Sequence, residues 1–302
     1  MFQSLYKLVE NRTPDSQYRD LMQEIMVDGI ELPSRQGVNA LTLPRSARMI
    51  FKLENGAPII TDRDIKGFWK KPIGEMTCFI NGGHTLDDLE RNGVKNFWAA
   101  WATREKCEKR GLPEGDLGPG SYGRAFHDFP MPSGETFNQF QALIDQIKEN
   151  PELRTHFISP WIPFYNFRTR KLTQSVVVSP CHGWIKVRIF GGKMLFQMMQ
   201  RSGDVPVGVP SNMIQYAALF LALALEVRYE PWIYEHIILE PHIFVDQVPN
   251  VKEMLGREPR RLPTLTIKDE SVGKGFFEIG QDDYVLSDYT PHPAIKGIPV
   301  AT

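Results

Sequence analysis

With 302 residues and a formal net charge of −1, the chain is long enough for one large domain or two small ones and carries no global field of either sign. Its 42% hydrophobic and 24% charged content is that of a soluble globular protein, which argues against a disordered acidic tail and against a basic DNA-binding surface. Three cysteines, Cys78, Cys107 and Cys181, are odd in number and lack Cys-x-x-Cys spacing, so neither a disulfide scaffold nor a structural zinc site is expected, and a reducing compartment is.

The N-terminus lacks the apolar core and cleavage site of a signal peptide, and the longest apolar run, 217–225, is too short to span a bilayer. The expectation is a cytoplasmic protein with no membrane partner and no metal. Residues 17–28 place Tyr18, Leu21, Met22, Ile25 and Met26 on one helical face, with Asp15 or Ser16 as cap and Gly29 as terminator. A polar loop, 33–39, follows and contains Arg35. It feeds a strand around 47–53 that closes in the Glu54-Asn55-Gly56 turn.

The stretch 68–82 reads as a helix that sets Glu75 among Ile73, Met76 and Phe79. A carboxylate there is costly to bury alone, so Glu75 belongs either to a salt bridge or to chemistry. Trp98 and Trp101, three apart, share a helical face, as a core stripe or a ligand wall. Residues 136–148 repeat apolar positions at helical spacing, and Asn150-Pro151 stops them. Next come two β-branched and apolar runs between Trp184 and Met199, joined by Gly191-Gly192, which predict a hairpin. An apolar helix over 213–227 and a strand over 233–245 complete the list. No internal repeat, low-complexity tract, Gly-rich phosphate loop or linker divides residues 1–302, so a single domain is expected.

The hairpin brings Arg201 back beside Cys181. A guanidinium next to a thiol lowers its pKa and enlarges the thiolate fraction that a nucleophilic cysteine needs. Within about thirty residues of that thiol stand Ser202, Asp204 and Asn212 as well.

Pro180-Cys181-His182, then Gln200-Arg201-Ser202-Gly203-Asp204, then Pro210-Ser211-Asn212, in this order and spacing, resemble the core signature of the thymidylate synthase family. The likeness runs from about residue 18 to the C-terminus. Gly115-Asp116-Leu117-Gly118-Pro119-Gly120-Ser121-Tyr122-Gly123 matches the family's loop with one residue inserted, and 257–263 and 289–296 match in order. The resemblance implies an α/β fold, a single domain built on a large mixed β-sheet with flanking helices, and an obligate homodimer. It makes Cys181 the nucleophile, assisted by Arg201, with Glu75 moving protons through ordered water, Tyr122 handling the C5 proton and Asn212 reading the base. It gives the phosphate to Arg35, Arg201, Ser202 and an Arg154 that crosses the dimer interface. Gln200, Asp204 and His242 also join the nucleotide site, His242 at the sugar hydroxyl. Trp98, Trp101, Asp204, Gly208 and Ser211 fall to the folate, Asp204 against its pterin ring.

The implied co-substrate is 5,10-methylene-tetrahydrofolate and the implied substrate a pyrimidine nucleoside monophosphate, dUMP being favoured because Asn212 stands where cytosine enzymes carry Asp. Several positions depart from the family pattern. Asn39 replaces a Gly, Ala99 and Ala100 replace acidic residues, and Thr155 replaces a second Arg. Ser211 replaces a Phe, Gln215 a small residue and Phe244 a Tyr. Reductive methylation to dTMP is the first expectation. Hydroxymethylation by water capture is the alternative, suggested by Ser211. A non-catalytic nucleotide- or RNA-binding homologue is the third, opposed by Cys181, Glu75, Tyr122 and Asn212 occurring together.

Overall fold

A computed structural model describes residues 2–301. Its centre is a five-stranded sheet whose order is Ala47–Lys52, Glu230–Ile238, Lys193–Gln200, His182–Phe190 and Phe157–Ile158. The strands His182–Phe190 and Lys193–Gln200 form the expected antiparallel hairpin about Gly191-Gly192, Phe190 opposite Lys193. Burial alternates along them as the two-residue period requires. Ile185, Val187, Met194, Phe196 and Met198 point into the core, while Trp184, Lys186, Leu195 and Gln197 are half-buried on the other face.

Lys193–Gln200 and Glu230–Ile238 run parallel, and parallel neighbours need a long crossover. The helix Gly208–Val227 is that crossover. It is apolar almost all round, with Leu219, Phe220, Leu221 and Leu223 at 3% exposure or less. Full burial of each such side chain is worth about 1.5–3 kcal/mol. Its length and hydropathy also suit a membrane span, but 78% of the relevant window is buried inside the protein, which makes it the core helix. The crossover sets the first turn of this helix at the carboxyl end of Lys193–Gln200, where Arg201 follows and Cys181 sits across the hairpin.

Three other expected helices form with small changes. Gln17–Asp28 starts as expected with Ser16 at the N-cap position, where its side chain makes no cap bond; Asp15, one residue earlier, accepts the Gln17 N–H on Oδ1 at 3.1 Å. The helix expected from 68 is Lys70–Ile80. The one expected from 136 is Gln139–Glu149, because Thr136–Phe137 pairs with Phe129–Pro130 instead. The crossover helix begins five residues earlier than expected, at Gly208 rather than 213.

One expectation is corrected. In place of a single large sheet there are four among the described residues: the five-stranded one, a four-stranded one and two strand pairs. The reason lies in 233–245, expected as one strand. The chain turns at Leu239-Glu240 and passes from the five-stranded sheet into Pro241–Phe244. That strand pairs with Ala40–Thr42 on one side and Gly203–Asp204 on the other.

Candidate active site

Cys181 lies just before the strand His182–Phe190, at a bulge. His182 faces Gln200 but Trp184 faces Met199, so Gly183 is the extra residue. Gly183 has φ +105°, and a Cβ there would lie 2.9 Å from both Phe126 and the Tyr216 hydroxyl, so only glycine fits. The bulge turns the half-buried Cys181 toward Arg201.

The Arg201 backbone N–H donates to the Cys181 carbonyl at 2.7 Å. Its Nη2 reaches Cys181 Sγ at 3.2 Å and the Ser179 carbonyl at 3.0 Å, and its Nε donates to the Pro180 carbonyl at 2.9 Å. Nη1 is left without a partner among the described residues. Burial pushes the Cys181 thiol above its usual range, and the Arg201 charge pulls it back only in part. The expected lowering by Arg201 is present, but the expected net lowering is corrected. A site lined by Tyr122 and His182 desolvates a thiolate more than one cation compensates. His182 supplies no second cation. Its burial, followed by the nearby Arg201 charge, lowers its pKa to about 3, and its Nδ1 pairs with the Tyr216 hydroxyl at 2.7 Å.

Tyr122 holds the backbone at Cys181. Its hydroxyl accepts the Cys181 N–H at 2.7 Å and the His182 N–H at 3.3 Å, and its ring stacks on His182 with centroids 4.5 Å apart. The ring also lies 5.1 Å from Phe79 and 6.2 Å from Trp98. That contact joins the thiol to a second polar network.

In the second network Glu75, on Lys70–Ile80, accepts from Trp98 Nε1 at Oε1 and from Gln215 Nε2 at Oε2. Gln215 Oε1 in turn accepts from Asn212 Nδ2 at 2.9 Å. Packing of Lys70–Ile80 on Gly208–Val227 brings residues 140 positions apart face to face. Burial raises the Glu75 carboxyl to about 7, against the lowering by Trp98 and Gln215. Trp98 is therefore engaged with Glu75 and is 8% exposed, whereas Trp101 is half-exposed under the ammonium of Lys106, 4.8 Å from its ring centre.

The remaining expected residues divide into two groups. Asp204 and His242 are paired neighbours on adjacent strands beside Ser202 and Gly208. Burial raises Asp204 to about 7, and its carboxylate accepts from Gln247 Nε2 at 3.1 and 3.2 Å. A Cβ on Gly208 would meet nothing nearer than Asp204 Cβ at 3.9 Å. Ser211 is half-buried with its hydroxyl unpartnered among the described residues. Gln200 faces inward at 1% exposure, its Oε1 accepting from His236 Nε2 at 2.7 Å and its Nε2 donating to the Ser202 carbonyl at 3.0 Å. Arg35 and Arg154 stand apart, exposed in loops. Neither guanidinium has a partner among the described residues.

Among the described residues no three His, Cys, Asp or Glu side chains converge as a metal site does. A sequence model of the family described as Thymidylate synthase matches residues 16–301.

The chain belongs to the thymidylate synthase family.

Thymidylate synthase family members transfer a one-carbon unit from methylene-tetrahydrofolate to a pyrimidine nucleotide. Against the family pattern, Phe244 is 6% exposed and packs edge-on against His242, and Thr155 is exposed beside Arg154. Gln215 is the residue that sequence reasoning left out of the site, although its polarity on an apolar helix three positions after Asn212 was a visible sign. Gln247, which ties Asp204 to the Pro299 carbonyl at 3.0 Å, carried no such sign.

Proposed function

We propose that the chain methylates C5 of dUMP, giving dTMP. The observation that carries this reading is the Cys181–Arg201 contact, linked through Tyr122 and Trp98 to the Glu75–Gln215–Asn212 network. A nucleophile and a base-reading amide then belong to one connected site.

Uracil C5 is a poor nucleophile. When Cys181 Sγ bonds to C6, the ring electrons move onto C5 and O4, and one hard step becomes two easier ones. C5 then bonds to the methylene carbon of the folate as the carbon's bond to N10 opens, the C5 proton leaves to a base, and the remaining bond to N5 breaks, which releases tetrahydrofolate and leaves an exocyclic methylene on C5. Hydride from tetrahydrofolate completes the methyl group and leaves dihydrofolate as the Sγ–C6 bond breaks. Glu75, with a pKa near neutrality, is suited to hold and release protons in this sequence, a contribution of about 10²–10⁴ in rate. Tyr122 keeps the Cys181 turn in place through its hydroxyl and stands beside the ring edge. Asn212 takes the pyrimidine edge and favours uracil.

The free Nη1 of Arg201, Ser202 and Arg35 bind the phosphate by charge-assisted hydrogen bonds, joined by Arg154 from a second copy of the chain. The exposure of Arg35 and Arg154 without protein partners supports that assignment. Gln200 acts from behind, holding the Ser202 carbonyl, and His242 meets the sugar. Trp98, Trp101, Asp204, Gly208 and Ser211 receive the folate. The three unpaired cysteines suit a reducing cytoplasm.

Methylation is preferred because Trp98, Phe79 and Tyr122 make an apolar wall next to Glu75, which disfavours water at the exocyclic methylene. Hydroxymethylation is the second reading. It is favoured by one observation: the unpartnered hydroxyl of Ser211 beside Asn212 gives a water somewhere to bind. Incubation with dUMP, dCMP, UMP or CMP plus methylene-tetrahydrofolate, followed by weighing the nucleotide, separates the two. A methyl gain from dUMP with dihydrofolate formed is the expected result. A hydroxymethyl gain with tetrahydrofolate released establishes the second reading, and four unchanged nucleotides contradict both.

A further inference from the structure

We propose that Gln215 is a positioning residue that fixes which way round the Asn212 amide faces the base, and thereby makes the site select uracil over cytosine. The inference rests on the nucleotide reading above and deepens it to base choice.

Gln215 is 0% exposed on a helix whose neighbours Met213, Ile214, Tyr216, Ala217 and Ala218 are equally buried. An apolar side chain suits such a place, and an amide put there is costly unless both its ends are satisfied. Both are, and they are satisfied in a fixed direction. An indole can donate a hydrogen bond from nitrogen but has no acceptor. Trp98 Nε1 donates to Glu75 Oε1 and favours the ionised carboxylate, whose other oxygen then has no proton to give and takes the N–H of Gln215. With its nitrogen held by Glu75, Gln215 turns Oε1 toward Asn212 and can only accept. Asn212 must then present Nδ2, and does so at 2.9 Å.

What remains for a ligand is one N–H and the Oδ1 of Asn212, in an order set three links away. Uracil offers an O4 acceptor beside an N3–H donor. Cytosine offers an N4 donor beside an N3 acceptor, the reverse order. Rotating the Asn212 amide to suit the reverse order would set its Oδ1 against Gln215 Oε1, two acceptors facing each other in a buried place. Each polar group left unsatisfied in this way lowers an equilibrium by about tenfold to a hundredfold. Without Gln215 the amide rotates freely and both orders are met equally well.

The test measures the dissociation constants of dUMP and dCMP calorimetrically, with deoxyribose 5-phosphate as reference ligand, for the wild type, Gln215→Met and Trp98→Phe. The expected result is a dUMP-over-dCMP preference that falls about tenfold or more in both variants. Affinity for deoxyribose 5-phosphate should change by less than about twofold. Trp98 is the far end of the chain from Asn212, so a loss of preference in Trp98→Phe travels through the network. It also keeps the test decisive if Gln215→Met does not fold. A wild type that prefers dUMP and variants that keep the preference overturn the proposal. So does an equal weakening of all three ligands, which is what a merely structural amide would give. A wild type that binds dUMP and dCMP alike overturns the uracil reading itself, a result distinct from the failure of the Gln215 role.

Discussion

Nη2 of Arg201 stands 3.2 Å from Sγ of Cys181, and the same guanidinium grips the carbonyls of Ser179 and Pro180. One side chain thus shapes the turn that bears the thiol and supplies the positive charge a thiolate needs. Arg201→Leu should slow alkylation of Cys181 by iodoacetamide about tenfold, the order set by losing a charged hydrogen bond of about 1.5 kcal/mol. Cys78 and Cys107 are 2% and 0% exposed and serve as unreactive internal references. An unchanged rate at Cys181 would show that Arg201 does nothing for the thiol.

Tyr122 accepts the backbone N–H groups of Cys181 and His182, and both donors lose their partner in Tyr122→Phe. Each buried donor left unpaired costs about 1–3 kcal/mol. Urea denaturation should register a loss of about 2–6 kcal/mol for the variant, together with a slower Cys181. Equal stability in the two proteins would mean that water replaces the hydroxyl without cost.

Gly183 occupies a left-handed backbone region with Phe126 and Tyr216 closing around the space a Cβ would fill. A non-glycine residue there carries about 1–3 kcal/mol of backbone strain before any clash. Gly183→Ala should lower the denaturation midpoint and displace Cys181, seen as weaker activity at unchanged cysteine content. A variant as stable as the wild type would remove the bulge from the account of the site.

Glu75 gives a pH dependence with a definite sign. Its carboxyl titrates near 7 when folded and near 4.5 in the unfolded chain. Between those values the folded state holds a proton that the unfolded state has released. Stability therefore falls as pH rises from about 4.5 to about 7, and stays at the lower level above that. Asp204, raised from 3.8 to about 7, adds a fall of the same sign. Urea midpoints at pH 5 and pH 8 should differ less in Glu75→Gln than in the wild type, with a residual difference from Asp204. An unchanged difference would mean that Glu75 is not held protonated by burial.

Much of this arrangement is legible in the amino-acid sequence. The Gly191-Gly192 turn between two apolar runs set the hairpin register closely enough to put Arg201 beside Cys181. The apolar spacing of Tyr18, Leu21, Met22 and Ile25 gave the first helix to the residue. What was not legible depends on contacts between distant segments. The turn at Leu239-Glu240 carries no Gly or Asn, so 233–245 read as one strand, and the two sheets merged into one. Glu75 and Gln215 meet only because two helices pack, and nothing local in either segment predicts the other. The thiol's net shift was misjudged for a related reason. A neighbouring Arg shows in the hairpin pattern, whereas the burial that outweighs it comes from segments far away in the chain, which no local pattern shows.

The central claim is a bond between Cys181 Sγ and C6 of a pyrimidine ring. The most direct measurement is intact-protein and peptide mass spectrometry after incubation with 5-fluoro-dUMP and methylene-tetrahydrofolate, where fluorine at C5 blocks proton loss and holds the complex. The account predicts a stable ternary adduct located on the peptide containing Cys181 and absent from Cys181→Ala. A protein that stays unmodified, or an adduct carried on Cys78 or Cys107, would contradict it.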